Sequence, residues 1–388
     1  MKSRLTTRLA ALATVMALVL LAVFGTSCGS ATFSKQTQAR MEAALDKLMS
    51  DNNIPGAAVG VWAPGKGTWV VAKGKADLKT GRAMTTADNF RIGSTTKPFT
   101  ATVALQLVDE GLLRLDDKLS LYKFPVSVPS AGGITVRQLL NHTSGLYDYA
   151  DAPAFDSVYT TDPLHPWTTE ELLKIGLSHA PYFASGKGWH YSNTNYILLG
   201  VIAQDLTNHT IADEVRSRII GKMGLKSTFY PSTPDMPTPY TRGYIITHGP
   251  SPLGPPGTYD RTLQSPSVAG ASGAMISTLD DLHSFALALG RGDLVSQKSH
   301  KEQTTFVPTG NQQFTDYGLG MMQFGDLVGH GGDINGYSSN TSYSPSTGAV
   351  IVVLVNKDPN ANASGQVGIL LTKQLAKIVY PQMNFTGM

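Results

Sequence analysis

The segment FRIGSTTKPFTATVALQLVDEG, residues 90–111, is the most informative stretch of this chain. Pro98 stands near the start of its apolar run and Gly111 follows its end, the usual arrangement at the two ends of a helix. Ser94 lies just before this predicted helix, and Lys97, three residues later, is expected to reach the Ser94 hydroxyl from the same face. The helix N-terminus also offers unpaired N–H groups to a developing negative charge. The segment therefore predicts a serine nucleophile anchored to an apolar helix.

The Ser-x-x-Lys pattern also has a simpler interpretation and a competing copy. Ser94 equally fits a helix N-cap beside an exposed lysine, which is a common arrangement. A second Ser-x-x-Lys spans residues 120–123, but Phe124-Pro125 follows it at once, and a residue before proline resists helical geometry. The esterase-type pattern Gly-x-Ser-x-Gly occurs at residues 25–29, where no strand-to-helix turn surrounds it. Ser94 is therefore the favoured nucleophile.

Two later motifs add candidate functional residues to Ser94 and Lys97. Tyr191-Ser192-Asn193 precedes an apolar helical pattern over residues 196–206, and His330-Gly331-Gly332 precedes a pair of predicted strands. Taken singly, the first fits a helix start with a capping asparagine, and the second fits a glycine-rich turn with an incidental histidine. Together with Ser94 and Lys97 they supply a nucleophile, a proton-sharing base, an amide and a hydrogen-bonding or cationic edge. These are the groups that acyl transfer through a serine requires.

Composition limits the classes of partner. The chain has 388 residues, of which 41% are hydrophobic and 15% charged, as in a soluble globular protein. Its net charge of +3 comes from Lys2, Arg4 and Arg8, because the remainder has 28 basic and 28 acidic residues (31 minus 3, against 28). No basic cluster suggests a nucleic-acid partner. The nine histidines show no metal-ligand pairing, and no phosphate-binding loop is present. We therefore expect neither a metal nor a cofactor.

The first 28 residues have the order of a secretory signal peptide. A basic start precedes an apolar run from Leu9 to Phe24, which is short for a membrane span of about 20 residues. An organellar transit peptide is the alternative, since the first acidic residue is Glu42. Cys28, the sole cysteine, follows the run as at the lipidation site of bacterial lipoproteins, although Gly25 stands where leucine is usual. We expect an exported protein, lipid-anchored to the cell envelope or secreted; an incidental cysteine is the alternative.

The pattern along the chain predicts one sheet built from both chain ends. After a spacer over residues 29–36, a helix and a hairpin come early, two strands and a helix come late, and the apolar run 350–355 fits a central strand. These parts define an α/β lobe over residues 37–115 and 265–388. Residues 116–264, with short helices and long loops, are predicted to form an inserted, mostly helical lobe. Ligand sites favour the cleft between such lobes.

The three motifs, in this order, resemble those of the penicillin-recognising serine hydrolases. This family includes D-alanyl-D-alanine peptidases, class C β-lactamases and related esterases. The segments 90–93, 106–111 and 134–146 are also similar, so the likeness covers residues 36–388. Tyr147-Asp148-Tyr149 is similar to the secreted actinobacterial D-Ala-D-Ala carboxypeptidases. The resemblance implies a β-lactamase/transpeptidase-like fold with a mainly antiparallel central sheet flanked by helices.

The resemblance also implies catalytic roles. Ser94 would be the acylated nucleophile, and Lys97 and Tyr191 would share the general-base work as a neutral amine or a phenolate. Tyr191 would then protonate the leaving group. His330, if charged, would lower the pKa of Lys97 by repulsion between two cations.

The substrate-binding residues that the resemblance implies depart from the family pattern. Asn193 would hold the substrate amide, and the backbone N–H groups of Ser94 and Asp333 would form the oxyanion hole, next to Gly332. Carboxypeptidase-like members carry hydroxyl residues where this chain has Gly331 and Asp333. Those hydroxyls receive the terminal carboxylate of the substrate, so their absence weakens the case for a carboxypeptidase.

Three functions follow from the sequence. The first is a cell-envelope hydrolase of D-alanyl-D-alanine-type peptides, with peptidoglycan as a possible partner. The second is an esterase or β-lactamase that uses the same acyl-serine chemistry. The third is a catalytically silent envelope binding protein, against which the three intact motifs count.

Overall fold

The computed structural model describes residues 32–311, 314–357 and 367–385. Cys28, the predicted leader and the first part of the spacer lie outside these ranges. The predictions made for them stay predictions.

The helices predicted after Ser94 and over residues 196–206 are present, and the first of them begins at Lys97. The α-helices are α1 (Lys35–Asp51), α2 (Lys97–Asp109), α3 (Val136–Leu140), α4 (Pro153–Thr161), α5 (Thr169–Ser178), α6 (Asn193–Thr207), α7 (Ile211–Val215), α8 (Gly221–Met223), α9 (Gly270–Gly273), α10 (Leu279–Arg291), α11 (Gln297–Gln303) and α12 (Val367–Val379). Single 3-10 turns lie at Gly93–Thr96, Leu119–Leu121, Tyr149–Asp151 and Pro266–Val268.

The strands build one large sheet and two small ones. They are β1 (Gly56–Ala63), β2 (Gly67–Gly74), β3 (Phe90–Arg91), β4 (Tyr244–Thr247), β5 (Gly257–Asp260), β6 (Ile276–Ser277), β7 (Val307–Pro308), β8 (Asp316–Tyr317), β9 (Met322–Phe324), β10 (Leu327–Ile334), β11 (Tyr337–Tyr343) and β12 (Val350–Val355). The large sheet has the order β2-β1-β12-β11-β10-β9-β8-β7, and every neighbouring pair in it is antiparallel. The expected antiparallel sheet, joining early to late strands, is confirmed.

Strand β12 shows why the sheet lies between two layers. Val350, Val352 and Leu354 pack into the core shared with α2, α6 and α10. The alternate side chains, such as Val353, pack on the other face with α1 and α12. Because successive side chains point to opposite faces, a strand buried on both sides needs an unbroken apolar run. The continuous Val/Ile/Leu segment is therefore the central strand that the sequence predicts.

The middle segment contains a hairpin that the sequence pattern did not predict. Strands β4 and β5 pair with Ile245 opposite Tyr259, on either side of the Pro- and Gly-rich stretch 249–257. The connection between the strands, residues 248–256, is one of the long loops expected in this segment. The rest of the segment supplies α3 to α8, of which α6 is buried over most of its length against α2.

The His330-Gly331-Gly332 motif lies inside β10, and not before the strand pair as expected. Glycine-rich sequence has low strand propensity, so the pattern pointed to a turn. Tertiary packing overrides that propensity: a Cβ on Gly332 would lie 2.0 Å from the Ile92 carbonyl oxygen and 2.7 Å from the Thr95 nitrogen. The strand therefore needs glycine where it passes the Ser94 segment.

None of the helices in the described ranges has both the length and the apolar character that crossing a membrane requires.

Candidate active site

The nucleophile sits on a tight turn that leads directly into α2. Gly93–Thr96 forms one 3-10 turn, and Lys97 begins the helix. Gly93 has φ +49°, and a Cβ there would lie within 2.7–2.9 Å of the Asp333 backbone. Only glycine tolerates both the positive φ and the lack of space for a Cβ at position 93. Thr95 is buried beneath the turn while Ser94 keeps some exposure, so the hydroxyl of Ser94 faces the cleft.

Lys97 is held in a fixed position against Ser94. Its Nζ lies 3.0 Å from the Ser94 Oγ, 2.7 Å from the Asn193 Oδ1 and 2.9 Å from the Ser272 carbonyl oxygen. The side chain is fully buried. Burial favours the neutral amine and lowers the pKa of Lys97 to about 7, partly opposed by the Asp148 carboxylate. A sizeable fraction of Lys97 is thus an uncharged base near neutral pH.

Asn193 connects the Lys97 amine to Asp148, a buried acid for which the sequence motifs predicted no role. The Asn193 Nδ2 donates to the Asp148 Oδ2 at 2.9 Å, while its Oδ1 accepts from Lys97. Burial raises the pKa of Asp148 to about 6, against the effect of its backbone hydrogen bonds and of Lys97. The amide of Asn193, expected to hold substrate, is engaged at both ends by protein groups. Asn193 therefore orients the base.

Tyr191 packs its ring over the same amine. Lys97 Nζ lies 4.6 Å from the ring centroid. The Tyr191 hydroxyl is buried near Ser94 and makes no close hydrogen bond with the described residues. Burial raises the pKa of Tyr191 well above its ordinary value, although nearby Ser94 opposes the rise. The phenol is therefore protonated at neutral pH. This divides the shared base role: Lys97 is suited to accept a proton and Tyr191 to donate one.

His330 lies in the wall of the site as a neutral group. It is fully buried, with Nε2 2.8 Å from the Tyr317 hydroxyl and Nδ1 2.5 Å from the Gly331 carbonyl oxygen. Burial, with Lys97 nearby, lowers the pKa of His330 to about 3. His330 is therefore uncharged near neutral pH, so the repulsion that a charged ring would exert on Lys97 is absent. The pKa of Lys97 falls because the amine is desolvated, and the His330 ring, 6.3 Å from that of Tyr191, contributes to the packing around the phenol.

Hydroxyl groups join the nucleophile turn to β10. Ser339 Oγ, on β11, donates to the Ile92 carbonyl at 2.8 Å and lies 2.8 Å from the Thr95 Oγ1. Ser339 pairs with Gly332 across the strands. These contacts hold the Asp333 backbone beside the turn that carries Ser94. The oxyanion hole that the resemblance implies, formed by the backbone N–H groups of Ser94 and Asp333, stays a prediction.

A cavity of about 230 Å³ opens beside Ser94, between the sheet and the helical segment. Asn193, Ser272 and Asp333 contribute polar groups to its lining. Tyr149 and Phe155 are among the apolar groups that line it. A largely apolar cleft with a few convergent polar groups is typical of a small-molecule site.

Ser272 and His142 also contact the site residues, although neither belongs to one of the three motifs. Ser272 offers its backbone carbonyl to Lys97, which no sequence pattern records. His142 packs its ring 4.4 Å from that of Tyr191, and its Nδ1 accepts from the Ser192 N–H at 3.1 Å. Asp148 and His142 both lie in segments that resembled the family. That likeness was the signal that could have identified them.

The competing serine motif lies elsewhere. Ser120 is exposed within the isolated 3-10 turn Leu119–Leu121, and no helix follows it. The described residues contain no group of three His, Cys, Asp or Glu side chains arranged for a metal ion.

A serine in contact with a desolvated lysine, whose amine lies against a tyrosine ring, in a protein with a large antiparallel sheet, defines a serine hydrolase with a β-lactamase/transpeptidase-like fold. The comparison with known families agrees, because the sequence model of the Beta-lactamase family matches residues 41–372. The chain belongs to this family.

Similar proteins come from several bacteria. A Bacillus subtilis (strain 168) penicillin-binding protein is 30% identical over 283 residues, which is 69% of this chain but 60% of that protein's length. A D-stereospecific amidohydrolase from Streptomyces sp. shares 31% identity with a TM-score of 0.75, over 90% of this chain and 98% of that one. The D-amino acid amidase from Ochrobactrum anthropi SV3 complexed with L-phenylalanine shares 28% identity with a TM-score of 0.77, over 87% and 97%.

Proposed function

We propose that this protein is an exported serine amidohydrolase of the cell envelope that cleaves amide or peptide bonds formed by D-amino acids. The observation that carries the chemistry is the 3.0 Å contact between Lys97 Nζ and Ser94 Oγ, with the amine buried and its pKa lowered to about 7. The amidase relatives support the D-amino-acid preference.

In the proposed reaction, the neutral amine of Lys97 accepts the proton of Ser94 as Oγ attacks the substrate carbonyl carbon. The negative charge on the carbonyl oxygen is received by the backbone N–H groups of Ser94 and Asp333. Tyr191 donates its proton to the leaving nitrogen, and transfer of the proton held by Lys97 to the Tyr191 phenolate returns both groups to their starting states. The C–N bond breaks, the amine leaves, and water hydrolyses the acyl-serine by the reverse proton transfers.

An amidase or peptidase with no requirement for a terminal carboxylate agrees best with the cavity. Carboxypeptidase-like relatives place hydroxyls where this chain has Gly331 and Asp333. Asp333 lines the cavity beside Ser94, and an acid there repels a substrate carboxylate. We therefore favour D-amino-acid amides and short peptides over C-terminal D-Ala-D-Ala cleavage.

Four substrates compared side by side test the proposal: D-phenylalanine amide, a D-Ala-D-Ala peptide, a p-nitrophenyl ester and nitrocefin. We expect turnover of the D-amide, with the L-amide at least tenfold slower. Ser94→Ala should abolish turnover, whereas Ser120→Ala, which changes the exposed serine of the second motif, should not. Exclusive hydrolysis of the ester or of nitrocefin would reject the amidohydrolase, and equal activity of the two serine variants would reject the site.

The export part of the proposal depends on the leader. Its basic start, apolar run and Cys28 support lipidation after processing. Expression of the full chain in a bacterium, followed by intact mass of the mature protein, should show a diacylglyceryl modification that Cys28→Ala abolishes. An unmodified protein found only in the medium would reject the anchor, and a protein retained in the cytoplasm would reject export.

A further inference from the structure

We propose that His142 is a positioning residue that holds the phenol of Tyr191 in place for donation of a proton to the leaving group. This inference rests on the proposed function, in which Tyr191 is the proton donor, and it extends that function to a residue outside the three motifs. His142 is not among the described residues that line the cavity beside Ser94. It therefore acts on the reaction through Tyr191 and not by contact with the substrate.

His142 contacts the segment around Tyr191 in three ways. Its backbone carbonyl accepts from the His190 N–H at 3.1 Å, and its Nδ1 accepts from the Ser192 N–H, also at 3.1 Å. Between these two hydrogen bonds, its imidazole packs against the Tyr191 ring with the ring centroids 4.4 Å apart. One residue thus fixes the backbone on both sides of Tyr191 and the aromatic ring itself.

The hydrogen bonds around His142 define which ring nitrogen carries the proton. A backbone N–H can only donate, so the Nδ1 that contacts Ser192 is the unprotonated nitrogen. The Asn195 side chain agrees, because its Oδ1 accepts from the Ser144 hydroxyl at 2.7 Å and its Nδ2 lies 3.2 Å from the same Nδ1. Burial lowers the pKa of His142 well below its ordinary value. The ring therefore stays neutral and keeps its acceptor.

Two features of His142 cost free energy of folding. Its φ is +62°, in a region that few non-glycine residues adopt. Its side chain is fully buried, and the protonated Nε2 makes no hydrogen bond with the described residues. Within the described ranges, the imidazole makes hydrogen bonds with Ser192 and Asn195. An apolar side chain would avoid the cost of the buried N–H but would lose these contacts with the Tyr191 segment.

Two variants of nearly the same shape test the inference. Asparagine and leucine both remove the ring at position 142, but only His142→Asn can still accept from the Ser192 N–H. His248→Leu is the matched control, because His248 is exposed in the connection between β4 and β5. The Tm of each variant is measured first, and the rates are compared at a temperature at which all variants are folded.

Three substrates with the same acyl group provide the kinetic measurement: D-phenylalanine amide, its methyl ester and its p-nitrophenyl ester. They form the same acyl-enzyme, so kcat/KM compares their acylation, and only the first two leaving groups need a proton. His142→Leu should lower kcat/KM for the amide and the methyl ester roughly 10- to 100-fold, as for a displaced catalytic group, and much less for the p-nitrophenyl ester. His142→Asn should recover most of the loss, and His248→Leu should behave as the wild type.

A double variant tests whether His142 acts through Tyr191. Added to Tyr191→Phe, which has no proton to donate, His142→Leu should lower kcat/KM for the amide little further, because the two residues act as one unit. A further loss as large as that of His142→Leu alone would overturn the inference.

The wild-type protein offers a test that does not depend on how any variant folds. At neutral pH, the ¹⁵N NMR shifts of the His142 ring should show an unprotonated Nδ1 and a protonated Nε2. A proton on Nδ1 would exclude the hydrogen bond from Ser192 and overturn the inference.

The kinetic outcomes separate the two proposals. If no amide is cleaved but the methyl ester shows the losses given above, the amidohydrolase proposal fails and the role of His142 survives. If Tyr191→Phe loses activity on the amide selectively and His142→Leu does not, the role of His142 fails alone. Equal losses of His142→Leu on all three substrates would show a purely structural role and overturn the inference.

Discussion

The Nζ of Lys97 lies 3.0 Å from the Oγ of Ser94 while the lysine side chain is fully buried. The contact combines two effects that rarely occur together for lysine. One turn of helix brings the amine to the hydroxyl, and the surrounding protein removes the water that would keep the amine charged. The result is a general base formed from a residue that is ordinarily cationic.

The pH dependence of acylation should report this base. Lys97 acts when neutral, and its pKa is about 7, so kcat/KM should fall about tenfold per pH unit below that value and level off above it. The measurement is kcat/KM for a neutral p-nitrophenyl ester between pH 5 and 9. A value of kcat/KM that still rises tenfold per pH unit between pH 8 and 9 would indicate a solvated lysine and contradict the assignment.

Asp148→Asn should shift the fall of kcat/KM at low pH to still lower pH values. The Asp148 carboxylate favours the Lys97 ammonium, so its removal should lower the pKa of Lys97 further. The single side-chain oxygen of the asparagine can replace only one of the two carboxylate oxygens that now accept from Asn193 and from the Ala150 N–H, so the Tm of the variant is measured beside its pH profile. The same pH profile provides the measurement, with Asp156→Asn as the surface control. If kcat/KM instead begins to fall at a higher pH than in the wild type, Asp148 does not act on Lys97 through its charge.

Tyr191→Phe should separate catalysis from stability. The hydroxyl is buried without a hydrogen bond among the described residues, so its removal should leave Tm unchanged or slightly raised. Loss of the proton donor should lower kcat for an amide by roughly 10²- to 10⁴-fold. A p-nitrophenyl ester, whose leaving group needs no proton, should lose much less. Equal losses on both substrates would remove Tyr191 from the leaving-group step.

Gly332→Ala should open the oxyanion hole. The added methyl would lie 2.0 Å from the Ile92 carbonyl oxygen, so β10 and the nucleophile turn must separate. We expect kcat to fall roughly 10²- to 10³-fold, the loss typical for one oxyanion donor, together with a lower Tm. Gly132→Ala is the control, since no atom lies within 4 Å of a Cβ there. Wild-type activity in Gly332→Ala would show that the close approach is not needed.

Much of the candidate site follows from local sequence. Ser94 and Lys97 are three residues apart, about one helical turn, and the apolar run after them predicts the helix that begins at Lys97, directly after the turn with Ser94. The Val350–Val355 strand is equally local, because its composition alone indicates burial on both faces. Strand β10 was not predictable in this way, since its glycines serve a contact with Ile92 and Thr95 that only the folded chain contains.

The charge states show most clearly what the sequence alone determined and what the tertiary structure decided. The sequence determined which groups form the site. These are a serine and a lysine one turn apart, together with Tyr191 and His330 from the two later motifs. Only the tertiary structure decided that Lys97 is a base, that Tyr191 and His330 are neutral, and that Asp148 connects to Lys97 through Asn193. The reason is that a pKa depends on desolvation and on neighbouring charges, and both come from segments that are distant along the chain.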